Sequence, residues 1–187
     1  MTRIPLLILL VGISVISFSF TKKKPSSASR VSKSLAYPVA GKRSNIGDRW
    51  GASRDGGRRK HKGIDIYARK GTPVVAISDG VIVEKDHTPI GGKTLWLKSA
   101  DHDLTAYYAH LDKQLVREGQ YVRKGQVIGT VGNTGNARSM SSHLHFGITP
   151  GKGWVNPLPY VKHSPKVSTV KTSVKKKATA KKSTRKR

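Results

Sequence analysis

Two short segments of this sequence bring ligand-type side chains to useful spacing. His61-Lys62-Gly63-Ile64-Asp65-Ile66 places an imidazole and a carboxylate four residues apart, and His143-Leu144-His145-Phe146 places two imidazoles two apart. Side chains of an extended chain alternate with a period of two, so each segment turns these residues to one face and Ile64 or Leu144 to the other. His61, Asp65 and one histidine of the 143/145 pair then offer two imidazoles and a carboxylate. Three protein ligands leave one position of a tetrahedral metal open, which is the pattern of a catalytic site. The absence of cysteine excludes disulfide scaffolds, thiol nucleophiles and thiolate-bound zinc. The helical pattern His-Glu-x-x-His does not occur. Of the remaining histidines, His110 ends the strand-like run 105–109 beside Tyr107 and Tyr108. Imidazole titrates nearest neutral pH, which makes the histidines left over from the ligand set the candidates for moving protons. His87, His102 and His163 lie in turn-like or tail contexts and are read as ordinary histidines.

Side chains that converge in this way need a framework, and the surrounding sequence is rich in short β-branched runs. Pro73-Val74-Val75-Ala76-Ile77 and Val81-Ile82-Val83-Glu84 flank Ser78-Asp79-Gly80, which predicts a hairpin with an Asp-Gly turn. Thr94-Leu95-Trp96-Leu97 and residues 104–110 repeat the theme, and residues 121–131 supply two more short strands around a glycine. No helical periodicity extends beyond about two turns in this region. The expected fold is all-β, with two antiparallel sheets packed as a β-sandwich or a partly closed barrel.

A length of 187 residues suffices for one such domain with appendages. Lys and Arg number 36 against 10 Asp and Glu, a formal net charge of +26, but the excess is uneven. Residues 1–46 carry 8 basic and no acidic residues and residues 161–187 carry 11 basic and none acidic, so all 10 acidic residues fall in 47–160. The middle is a mildly basic domain and the ends are polycationic. Residues 4–20 are uncharged and mostly apolar between Arg3 and Lys22-Lys23-Lys24. Residues 1–20 are therefore expected to direct export, as a cleaved signal peptide or a membrane anchor. Residues 21–46 and 161–187 are expected to be a disordered basic linker and tail.

Residues 47–160 resemble the lysostaphin/LytM-type zinc metallopeptidases, the bacterial cell-wall endopeptidases. The resemblance rests on Gly47-Asp48-Arg49-Trp50-Gly51, His61-Lys62-Gly63-Ile64-Asp65-Ile66, Lys70-Gly71-Thr72-Pro73-Val74, Asp79-Gly80-Val81, Tyr108-Ala109-His110-Leu111, Gly125-Gln126-Val127-Ile128-Gly129, Gly132-Asn133-Thr134-Gly135 and His143-Leu144-His145-Phe146. It implies Zn2+ held by His61, Asp65 and His145, with His110 and His143 as catalytic histidines flanking the metal. It also implies the LytM-type two-sheet antiparallel fold, with a groove over the metal, and a substrate among the stem or bridge peptides of peptidoglycan. The chain departs from the family pattern at residues 136–142, and at Gly147, where a Glu is common. Both places border the expected groove, so substrate preference is affected more than activity.

Two other functions compete with hydrolysis. A binding or regulatory module of the same fold would do no chemistry, and a full ligand set argues against it. A basic tail can also track nucleic-acid phosphates, but aromatics for base stacking are absent from it and an export signal points away from cytoplasmic DNA. The expected setting is the periplasm, the cell wall or the outer face of the membrane, with anionic polymers or lipids as partners of the basic arms.

Overall fold

The computed structural model describes residues 34–41 and 44–168. β1 (Asn45–Ile46), β2 (Ser53–Arg54) and β3 (Arg59–Lys60) are short; β4 (Ile64–Tyr67) and β5 (Pro73–Val75) follow. β6 (Gly80–Thr88), β7 (Gly92–Ser99) and β8 (Thr105–Gln114) form the long central meander. β9 (Tyr121–Val122), β10 (Val127–Val131) and β11 (His143–Thr149) complete the strands, and one turn of helix, α1 (Leu158–Val161), comes last.

The main sheet is antiparallel in the order β1-β4-β11-β8-β7-β6-β9, and β10 joins β8 and carries β5. β2 and β3 make a separate hairpin. The expected all-β antiparallel architecture holds, as a sheet that branches rather than one closed into a barrel. The branch lies within β8. It pairs with β11 up to Ala109 and with β10 from Leu111. His110 stands between the two partners with φ of +59°, a left-handed conformation that is uncommon for a residue with a Cβ.

β4 and β11 alternate as a half-covered sheet requires. Ile64 and Ile66 on β4, and Leu144, Phe146 and Ile148 on β11, are buried in the core, while Asp65, His143 and His145 point to the other face. Tyr108 from β8 joins the same core, stacks near Phe146, and accepts a hydrogen bond from the Ile77 amide at 3.1 Å.

Three expectations are overturned. Residues 73–77 and 81–84 do not form a hairpin: β5 pairs with β10, and β6 with β7 and β9. The physical sign is burial. Val74 through Ile77 are buried in succession, as in a segment covered on both faces, whereas β6 begins with an alternating buried and exposed pattern. The linker reading of 21–46 fails for residues 34–41. Leu35, Ala36, Tyr37, Val39 and Ala40 are buried. This segment covers the free edge of β5, with Ala36 donating to the Ile77 carbonyl at 2.7 Å, Val75 to Pro38 at 2.9 Å and Ala40 to Pro73 at 3.0 Å. The tail reading fails for residues 161–168. Val161 is buried in the core, and the carbonyls of Pro165 and Val167 accept from the amides of Tyr37 and Gly41. The expected export segment, most of the linker and the end of the tail lie outside the described residues.

Candidate metal centre

Asp65 and His145 are direct cross-strand partners of β4 and β11, and His143 opposes Tyr67 two residues along. Directly opposed residues project side by side from one face of a sheet. His61 arrives differently. It precedes β4 and is not part of a strand running through Asp65. Instead its amide donates to the Ala52 carbonyl at 2.8 Å, its carbonyl accepts from Gly51 at 2.9 Å, and its Nδ1–H donates to the Arg49 carbonyl at 2.9 Å. Gly63 makes the approach of these elements feasible. A Cβ there would sit 2.6 Å from the His145 ring and 2.7 Å from the Phe146 carbonyl.

Three donor atoms meet. His61 Nε2 lies 2.9 Å from His145 Nδ1 and 3.1 Å from Asp65 Oδ1, and His145 Nδ1 lies 2.9 Å from the same carboxylate oxygen. These three residues form the metal-capable cluster among the described residues. Because His61 gives its Nδ1–H to Arg49, its neutral ring presents a bare Nε2 lone pair to the centre. His145 Nδ1 can carry one proton, which serves one of its two neighbours and leaves the other contact unsatisfied. A cation satisfies all three lone pairs at once. Zinc bonds of about 2.0–2.2 Å place tetrahedral ligands about 3.3–3.6 Å apart, so the three atoms need to spread by only roughly half an ångström to admit the ion. The donor set thus fits a divalent metal.

Arg54 closes the outer side. Its guanidinium donates to Asp65 Oδ2 at 2.8 Å and reaches Asp48 Oδ2 at 2.7 Å. Burial disfavours the Asp65 carboxylate, but the facing His145 and His61 imidazoles outweigh it and hold the carboxyl well below the usual carboxylate range. Burial also pushes the His145 imidazole down, against the pull of Asp65.

His110 and His143 line the same cavity of about 640 Å³ as the three converging residues. Their ring centroids are 4.9 Å apart, and His110 lies 5.9 Å from His145. His143 Nδ1–H donates to the Ser141 carbonyl at 2.8 Å, and His110 Nδ1–H to the Thr134 carbonyl at 2.9 Å. Each ring is left with Nε2 as its basic nitrogen. Burial first, then the neighbouring His143 and His145, push the His110 pKa down to about 4. All five residues singled out in the sequence therefore gather in one cavity, whereas His87, His102 and His163 are not among its lining residues. The departure at Gly147 has a packing reason. The Trp154 ring lies where a side chain at 147 would begin, with a Cβ there only 2.5 Å from it. Trp154 also packs against Tyr107 and Trp96.

The model of Peptidase family M23 matches residues 59–157. The chain belongs to this family. Among curated M23-like relatives, the murein hydrolase activator NlpD of Escherichia coli K12 is 38% identical over 125 residues, covering 67% of this chain and 30% of that protein. The peptidoglycan DD-endopeptidase ShyC of Vibrio cholerae is 36% identical over 88 residues, covering 47% of this chain and 20% of that protein. The chain therefore spans less than a third of the length of these two relatives. Among solved structures, the catalytic domain of the antimicrobial peptidase lysostaphin from Staphylococcus simulans superposes with a TM-score of 0.58 at 35% identity, covering 64% of this chain and 92% of that one.

The sequence did not point to Arg54, to Tyr67, whose ring lies 5.3 Å from His143, or to the carbonyls of Arg49, Thr134 and Ser141. The only available hint was the charge density of the segment Arg54-Asp55-Gly56-Gly57-Arg58-Arg59-Lys60.

Proposed function

We propose that this chain is a zinc-dependent endopeptidase that hydrolyses peptide cross-links of bacterial peptidoglycan outside the cytoplasmic membrane. The observation that carries the reading is the convergence of His61 Nε2, Asp65 Oδ1 and His145 Nδ1 in a cavity shared with two further histidines. Membership of a peptidase family and similarity to a DD-endopeptidase support the reaction and the substrate.

His61, Asp65 and His145 would hold the metal, and Asp65 brings the single negative charge of the set. Zinc, when bound, supplies Lewis acidity toward a scissile carbonyl and toward the hydrolytic water. Arg54 holds the second oxygen of Asp65, which frees Oδ1 for the centre. The Arg49 carbonyl fixes the His61 tautomer. His110 and His143, each anchored through Nδ1, take and return protons at Nε2 and, when protonated, donate to the developing oxyanion. The polycationic ends of the chain concentrate it on anionic envelope polymers or lipids without choosing the bond.

One observation favours a second reading. The NlpD relatives are named murein hydrolase activators, and an activator of the same fold would bind the wall without cutting it. Digestion of purified cross-linked muropeptide dimers separates the two. The endopeptidase reading predicts monomers with the zinc-loaded protein and none after chelation. Intact dimers with stoichiometric zinc bound would overturn it.

A further inference from the structure

The cavity holding the five site residues has one strongly basic wall. It is built by the β2–β3 hairpin and the residue after His61, and it presents Arg54, Arg58, Arg59, Lys60 and Lys62. Two of these charges are spent within the protein. Arg54 pairs with Asp48 and Asp65, and Arg59 pairs with Asp55. The other three pair with no carboxylate among the described residues. Arg58 Nε donates to the Asp55 carbonyl at 3.2 Å and Lys60 Nζ to Ser53 Oγ at 3.2 Å, both uncharged acceptors. Lys62 is exposed, and it follows a candidate ligand directly in the chain. Lys60, His61 and Lys62 also border a second hollow of about 390 Å³ lined by Trp50 and Trp154, so both lysines stand on the boundary of the two hollows.

The hairpin is held in place toward the centre. The Arg54 bridge to Asp65 ties it to the candidate ligands, and the turn at Asp55-Gly56-Gly57 runs through three consecutive positive φ values. Arg58, Lys60 and Lys62 are all exposed, so their pull on an anionic group is solvent-screened and comes from three like charges gathered on one side of the cavity rather than from a buried ion pair. An uncharged chain gains nothing from them.

We propose that Arg58, Lys60 and Lys62 read a free carboxylate on the substrate close to the bond that is cut, so that the site takes acidic peptides in preference to uncharged bridges such as oligoglycine. The inference rests on the peptidase reading of the site and narrows it from stem or bridge peptides to carboxylate-bearing ones. Confinement of the three charges to one side of the cavity, two on or beside the hairpin and Lys62 just after it, favours a single carboxylate over a polyphosphate strand, which is matched by a continuous basic track.

The test is calorimetric binding of the full chain to uncleavable peptides that differ only in a free carboxylate or its carboxamide, with an oligoglycine of equal length as a third ligand. The carboxylate peptide is expected to bind on the order of 10-fold more tightly than the other two, as for a charge-assisted hydrogen bond. The ratio should approach one in the double variant Arg58→Gln/Lys62→Gln, and in the parent chain it should shrink at high salt. Equal affinities in the parent chain, or a ratio that survives in the double variant, would overturn the inference. So would a short oligonucleotide that binds more tightly than the peptide through the same two residues. Because binding is read directly, discrimination without hydrolysis would count against the peptidase reading alone, and hydrolysis without discrimination against this one alone.

Discussion

Asp65 is the most heavily shared residue of the centre, with one oxygen facing two imidazoles and the other held by Arg54. Replacing His61, Asp65 or His145 with Ala should abolish both zinc retention and hydrolysis, because two remaining ligands offer neither the geometry nor the charge of three. His110→Ala and His143→Ala should retain zinc yet lose activity on the order of 10²-fold or more. Metal analysis of the five purified variants checks this, and zinc kept by His145→Ala but lost by His143→Ala would exchange the roles of the pair. Arg54→Ala should weaken zinc affinity by about 10- to 100-fold without abolishing it, the usual consequence of releasing a ligand's outer partner. A chelator competition titration reads that change. Asp65 and the 143/145 histidine pair were legible in the sequence because few residue types bind metals and period-two spacing puts each set on one face. His145 was singled out by the family resemblance, and His61 reaches the centre through backbone bonds to Gly51 and Ala52 rather than along a strand shared with Asp65. Arg54 and the carbonyls behind the histidines were not legible, since every residue carries a carbonyl and the reach of an arginine depends on the finished fold.

Elements do at larger scale what the carbonyls do for single rings. β8 changes partner at His110, and the left-handed backbone there delivers the imidazole into the groove from a strand whose next residues belong to another part of the sheet. Strand content and the core faces of β4 and β11 could be read from period-two alternation. Pairing could not, because β5 and β6 are neighbours in sequence joined by a good turn signal, yet burial of Val74 to Ile77 on both faces sends β5 to β10. The same edge explains why residues 34–41 belong to the domain. Their apolar run lies inside a Lys-, Ser- and Pro-rich composition that masks it. A chain starting at Gly47 should be less stable than one starting at Ser34 by at least about 3 kcal/mol, since each buried Val, Leu or aromatic contributes about 1.5–3 kcal/mol. Urea unfolding of the two chains measures the difference. Coincident midpoints would mean that the segment merely rests on β5.

At the scale of the whole molecule the dominant feature is charge, much of it in the terminal residues. Residues 169–187 hold 9 basic and no acidic residues. Removing them, rather than the packed residues 161–168, should leave turnover of a small soluble peptide unchanged and weaken binding to intact sacculi. That deficit should shrink as salt rises toward ~0.5 M, where the Debye length is about 4 Å. Slower soluble-peptide cleavage at every salt concentration would instead give the tail a place in the groove. On the proposed function, this member of family M23 cuts peptide bonds of the wall itself rather than activating another enzyme that does. Mass spectrometry of muropeptides from purified sacculi, incubated with the zinc-loaded chain alone and then digested with a muramidase, tests it most directly. Direct cleavage should give fewer cross-linked dimers and a matching rise in monomers, both absent with His145→Ala. Unchanged cross-linking by the zinc-loaded chain alone, with release seen only when a second wall hydrolase is added, would contradict it.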